Sequence, residues 1–419
     1  MLSLKSFPAD RYHEYRYEAI FKAYKWDPQV GDQNTVAPYA LIMPRETAEH
    51  LERMTERLAR ETRKLEEALI KDPSPAKNLG LPKLIMRALP RLRDYNPEKH
   101  IRVMRFDFHP VDGGNWAVSE VNSDVPGGFA EASILPAVAV KYFPDCSVGR
   151  NAAESLFEAF AAKQMINDKG QGTNEDIIAF VHATAYSDDR QVMQFLSDYF
   201  TEHGMKTVFA APDHIRFEGG KACCIALGAE CVLSGIVRFF PLEWLLNLPK
   251  NAKWRQYFDC PVPCCNHPAA VFAQSKRLPL VWDKFGVDIS AWKELLPETR
   301  DPKQMTRDKG QMTNTDTDIR QEWIFKPALG RVGEGISIRG AVNDKEMRKI
   351  TKLARRRPRD WVAQRFFHSA PVCADDGQKF HLCVGSFAVD GKAAGFYGRL
   401  SALPRIDDKA MDVPILIDK

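Results

Sequence analysis

The chain has 419 residues, 59 of them basic and 55 acidic for a net charge of +4, with an apolar content ordinary for a soluble protein. That length accommodates two or three structural units. The near balance of charge, without a basic cluster interleaved with aromatics, argues against a nucleic-acid or membrane-surface partner. No leader is visible at the start, and the apolar run at 223–237 is broken by Glu230 and too short to cross a bilayer. Nine scattered cysteines predict reduced thiols in a cytoplasmic protein.

In chain order, residues 1–100 read as mostly helical. An aromatic-rich segment at 12–26 comes first, then a long charged helix near 46–71. Its Leu51, Met54, Leu58, Leu65 and Leu69 recur at helical spacing, and its charges predict a solvated face. The D-P-S-P string at 72–75 stops it, and a second amphipathic piece covers 81–92. Two alternating segments, 101–108 and 116–121, flank turn residues from His109 to Asn115 and predict a hairpin. Alternation puts Arg105 and Asp107 on one face of the first strand, and Glu120 and Asn122 on one face of the second. Two carboxylates and an amide oxygen suit Mg²⁺, which uses few protein ligands and completes its shell with waters and phosphates. Arg105 beside them is a fixed cation for a phosphoryl group. The same residues also fit a solvent-facing ladder with a cross-strand ion pair.

Helices are predicted near 130–139 and 151–165, then a strand–helix–strand run from 177 to 211 that suggests a small parallel sheet. No G-x-G-x-x-G follows its first strand, which excludes a dinucleotide fingerprint. Cys260, Cys264, Cys265 and His267 are too crowded for a structural zinc and read as packed thiols and an imidazole. A strand ending in Lys326 runs into glycines 330, 333 and 335. Such a loop brings backbone N–H groups to phosphates, but it lacks the Lys-Ser/Thr of a P-loop. A final hairpin turns at Asp390 and Gly391.

R-F-D at 105–107 followed by E-V-N-S-D-V-P at 120–126 resembles the R-x-D…E-x-N-x-D-x-P signature of the glutathionylspermidine synthase family, permuted ATP-grasp ligases; the family's Thr is Val125 here. Further similarities follow in the same order, as far as Ser401. They are S-K-R-L-P-L-V-W at 275–282, K-P followed by G-R-V-G at 326–333, the strand W-V-A-Q-R-F-F at 361–367, and G-R-L-S at 398–401.

The resemblance implies an α+β ATP-grasp fold with an inserted small parallel α/β unit. Its expected divisions are 1–100 (helical lead-in), 101–170 (metal hairpin and helices), 171–265 (the α/β unit, on the substrate side) and 266–419 (the nucleotide lobe with a glycine-rich flap). It further implies ATP and Mg²⁺, with Asp107, Glu120 and Asn122 on the metal and Arg105 and Arg331 as catalytic cations. Lys276, Lys326, Gly330, Gly333, Gln364, Arg365 and Arg399 are implied on the nucleotide, with Ser401 beside them. Arg238 and Glu243 are either substrate contacts or a buried ion pair. The implied reaction is amide formation through an acyl phosphate, from a carboxylate such as a glutathione-like peptide and an amine such as a polyamine. Bifunctional relatives carry an amidase with a nucleophilic cysteine; the first cysteine here is Cys146, so synthesis alone is expected. A different carboxylate–amine pair, or a non-catalytic nucleotide-binding scaffold, remains open at this stage.

Overall fold

The structure is a computed structural model that describes residues 2–167, 177–183, 186–226, 229–249, 252–306, 323–330, 336, 338 and 342–419. The hairpin forms as Val103–Pro110 and Trp116–Asn122. His109 and Pro110, taken as turn residues from sequence, continue the first strand. Trp116 and Ala117 pair across from them and hold the backbone extended.

This hairpin is one side of an antiparallel sheet. Val103–Pro110 pairs with Lys379–Val389, which pairs with Lys392–Ser401, which pairs with Met411–Val413. The tight turn between the two long strands has positive φ at Asp390 and Gly391, the chemistry of a two-residue hairpin loop. The long helix Arg45–Lys71 lies across this sheet, and Thr55 Oγ1 donates to Ser386 Oγ at 2.7 Å. Leu51, Leu58, Leu65 and Leu69 are fully buried, as their spacing required.

Glu61 and Glu66 are buried as well, so the solvated-face reading fails for them. Glu66 takes Arg102 in a two-pronged pair at 2.6 and 3.0 Å. Glu61 accepts the backbone N–H groups of Ala291 and Trp292 at the start of helix Ser290–Leu295.

A second sheet joins distant parts of the chain in the order Ser3–Ser6, Tyr39–Met43, Ile415–Asp418, Cys146–Val148. The lead-in therefore contains strands that a helical pattern did not disclose. Four parallel strands form a third sheet, ordered Cys264–Cys265, Gly235–Phe239, Ile177–His182, Lys206–Ala210, with helix Ser187–Glu202 between the last two in sequence. Beyond it Ile215–Glu218, Lys221–Ala226 and Ala229–Leu233 make an antiparallel meander. Strands Thr299–Arg300, Trp361–Arg365 and Trp323–Pro327 form a small antiparallel sheet, backed by helix Asp344–Arg356, whose Ile350 and Ala354 pack on Trp323 and Phe325. Among the described residues no helix is long and apolar enough to cross a membrane.

Candidate active site

The hairpin register places Asp107 opposite Glu120 and Arg105 opposite Asn122. The pairing slips between Asp107 and Phe108, leaving Ser119 as the extra residue of a bulge. Such an extra residue leaves the ladder and re-aims its neighbours. Here the Ser119 carbonyl accepts from Lys326 Nζ at 3.1 Å. The slip is written in the sequence: apolar Ala117 and Val118 stand side by side, then polar Ser119 and Glu120.

Arg105 donates to both oxygens of Asp107, at 2.8 and 3.1 Å, and to the Gly127 carbonyl at 2.7 Å. Its aliphatic stem crosses Gly385, where a Cβ would sit 2.8 Å from Arg105 Cδ, so only glycine leaves it room. Arg399 reaches Asp107 at 3.4 Å. Lys276 pairs with Glu120 at 3.1 Å and donates to the Gly330 carbonyl at 2.6 Å. Asn122 donates its amide to Asp107 at 3.1 Å and to Glu120 at 3.4 Å. Four cations thus face two carboxylates in one place.

Burial favours the neutral form of both acids, but the neighbouring cations outweigh it. Glu120 is held below the usual carboxylate range by Lys276 and Lys326. Asp107 is held below it by Arg105 and Arg399. Lys326, 3 % exposed, is pushed down by burial to about 8.

All of these but Lys276 line a cavity of about 480 Å³, a size suited to a small ligand. Its wall includes residues that sequence reasoning missed. His109 is half-buried and driven down to about 4 by desolvation, so it is neutral; its Nδ1 donates to the Leu382 carbonyl and its Nε2 faces Ser119 Oγ at 3.0 Å. Tyr397 carries the guanidinium groups of Arg105 and Arg399 on its ring, at 5.1 and 5.3 Å. Gly128, at φ +93°, lies so close under that ring that any Cβ would stand 2.5 Å from it. Lys25, Asp27 and Glu131 line the far end. No local signal marks these last three, because Lys25 meets Glu131 and Asp412 from far along the chain.

The remaining sequence candidates divide. Lys276 follows the one-turn helix Val271–Gln274, and the turn aims it inward toward Glu120. Gln364 is buried beside Lys276, Lys326 and Trp292 in a small adjoining space of about 30 Å³. Arg365 is next along the strand and so points the other way; its half-exposed side chain meets Glu298 and the Trp323 ring, outside the cavity lining. Arg331 and Gly333 lie outside the described residues. Ser401 Oγ accepts from the Leu403 N–H.

Arg238 makes the buried ion pair that was one of its two readings. It binds Asp124 with both side chains fully enclosed, and Asp124 also accepts from the Leu242 N–H at 2.8 Å. Glu243 does not line the cavity, although its neighbour Trp244 does. Cys260, Cys264 and Cys265 are buried free thiols. His267 has both ring nitrogens engaged by backbone, which agrees with packing and not with zinc.

A family model described as glutathionylspermidine synthase preATP-grasp matches residues 13–418. The chain belongs to this family. The glutathionylspermidine synthase family is one of ATP-grasp-type ligases, and the mixed α/β architecture with several sheets agrees with that fold. The structure of a glutathione synthetase-like effector from Globodera pallida, determined in apo form, overlays on it with a TM-score of 0.59 at 13% identity, covering 97% of this chain and 96% of that one. A putative gamma-glutamylcysteine synthetase from Methylobacillus flagellatus is also 13% identical and covers 87% of this chain and 85% of its own, but at a TM-score of 0.38 it adds no weight. No curated protein sequence matches the chain.

Proposed function

We propose that this glutathionylspermidine synthase family member is an ATP-dependent ligase that activates a carboxylate as an acyl phosphate and transfers the acyl group to an amine. The observation that carries this is the meeting of two carboxylates, the buried Asp107 and the half-buried Glu120, with Arg105, Lys326 and Arg399 on one cavity wall and with Lys276 reaching Glu120 from the small adjoining space. A scaffold has no use for that concentration of charge.

Among the described residues no three His, Cys, Asp or Glu side chains cluster as a self-sufficient metal cage. Asp107, Glu120 and Asn122 nonetheless fit Mg²⁺, a hard cation that binds through one or two carboxylates and takes other ligands from phosphates and water. Those three residues would hold it, and it would supply charge neutralisation at the phosphates.

The chain's own groups would do the rest. Lys276 and Lys326 would position the nucleotide phosphates, with Gln364 on the base side. Arg105 and Arg399 would neutralise charge on the transferring phosphoryl group and the attacking carboxylate. Their stacking on Tyr397 and their hydrogen bonds hold both guanidinium groups in place before reaction, which is where electrostatic catalysis gains most. We read the four parallel strands as an inserted unit on the substrate side.

The test is ADP release with ATP–Mg²⁺ and a panel of carboxylates crossed with amines, glutathione included, alongside Asp107→Asn. Turnover that requires one pair, and falls at least about a hundredfold in the variant, is expected. A folded protein with no Mg²⁺-dependent ATP binding would refute the reading.

A further inference from the structure

The far end of the cavity carries a charge arrangement that phosphoryl chemistry does not use. Lys25, 6 % exposed, follows the first helix, Tyr12–Phe21. Its Nζ lies 2.8 Å from Asp27 Oδ1, 2.7 Å from Asp412 Oδ2 and 3.9 Å from Glu131 Oε1. Three acids from three distant segments converge on one ammonium. The segment is pinned there: Tyr24 donates to Asp198, the Trp26 N–H to Gln191, and the Asp412 N–H to the Thr35 carbonyl.

Tyr397 links this cluster to the reaction centre. Its hydroxyl donates to Asp412 at 2.8 Å while its ring carries Arg105. One aromatic side chain therefore separates the acidic end from the place where an acyl group would be activated. Glu131 lines the same cavity as that centre and is 8 % exposed. Among the described residues no side chain donates a hydrogen bond to Glu131, and its ion-pair partner within 4 Å is Lys25 alone.

We propose that Lys25 is a built-in ammonium that sets the amine class of this site: a monoamine held by Glu131 is accepted, and polyamines are excluded because Lys25 already occupies the position of their second cationic centre. The inference rests on the ligase reading given above. Three carboxylates beside one cavity would otherwise attract a polycation. Lys25 saturates two of them at hydrogen-bond distance and leaves Glu131, whose carboxyl burial and Asp412 push up to about 7 and which a bound ammonium would draw back down. Although burial opposes its charge, Asp412, Glu131 and Asp27 more than compensate and keep the ammonium protonated. A second ammonium brought alongside meets a like charge in a water-poor pocket, where repulsion is weakly screened.

The experiment measures binding of butylamine, 1,4-diaminobutane and spermidine to the full chain by calorimetry, for the wild type, Lys25→Met and Lys25→Arg, with ADP release followed in parallel. Wild-type affinity is expected to fall from mono- to triamine. Lys25→Met should gain at least about tenfold for the triamine, and Lys25→Arg, which keeps the charge, should behave as wild type. A wild type that binds the triamine most tightly, a folded Lys25→Met that binds all three amines as the wild type does, or a chain that binds none overturns the proposal. Should Lys25→Met fail to fold, the wild-type order alone decides. Amine binding in the expected order without any ADP release would refute the ligase reading and leave the role of Lys25 standing.

Discussion

His100 and His267 pack together in the interior, tilted, with 4.4 Å between ring centroids; Tyr95 stacks on the first at 5.5 Å and lies 4.6 Å from the second. Burial drives His100 down to about 3 and His267 well below its ordinary value, and it holds His109 near 4. Their folded values are depressed, so the unfolded chain takes up protons first as pH falls. Stability from these groups is complete above about pH 6.5 and drains below it, by about 1.4 kcal/mol per pH unit for each histidine. His100→Phe keeps an aromatic ring between Tyr95 and His267 and removes one titrating group. Urea unfolding between pH 7.5 and 5.5, a window centred on the ordinary imidazole value, is expected to show a loss smaller in the variant by about 1.4 kcal/mol over the whole window; an unchanged loss would disprove the assignment. Much at this scale was legible in the sequence. Alternation alone put Arg105 with Asp107 and Glu120 with Asn122. His109 was misread because a histidine before a proline resembles a turn. Lys25 and Glu131 were invisible, since nothing near them in sequence announces Asp412.

Helical periodicity located Arg45–Lys71 almost to the residue and named its buried leucines. It could not separate the two buried acids from the exposed ones, because burial of a charge depends on a partner supplied by another element. Glu66 has Arg102 on the adjacent strand edge, and Glu61 has the N–H groups at the start of helix Ser290–Leu295. Removing one member of a buried pair strands the other. Glu66→Ala is therefore expected to cost about 3–5 kcal/mol in denaturant unfolding. Lys64→Ala, on the exposed face of the same helix, should stay within about 0.5 kcal/mol. Equal effects would mean that the helix face has been misassigned. The one-turn helix before Lys276 shows the converse limit: the motif identified the residue, while its aim came from a turn that no periodicity describes.

At the scale of the whole molecule, local pairs were the readable part. Both long hairpins and the strand–helix–strand run join neighbours in sequence. The sheet that places Ile415–Asp418 between Tyr39–Met43 and Cys146–Val148 does not, and no pattern in any one strand names its partner. Ile415, Leu416 and Ile417 are all buried. Deleting residues 414–419 removes three aliphatic anchors worth about 5–9 kcal/mol together, comparable with the whole stability of a domain. Loss of cooperative thermal unfolding is expected, and a truncated chain that melts like the full one would show that the sheet is dispensable.

The same sheet imposes an order on synthesis. Tyr39–Met43 is five buried residues in a row, and Ser3–Ser6 is the strand neighbour that leaves the ribosome before it. Its other edge stays bare until residues 415–418 emerge, far later in synthesis. An apolar strand edge left open for that long is a template for pairing with another chain. The nascent protein consequently depends on being shielded during translation, and folding yield should respond to chaperone supply more steeply than the stability of the finished molecule suggests.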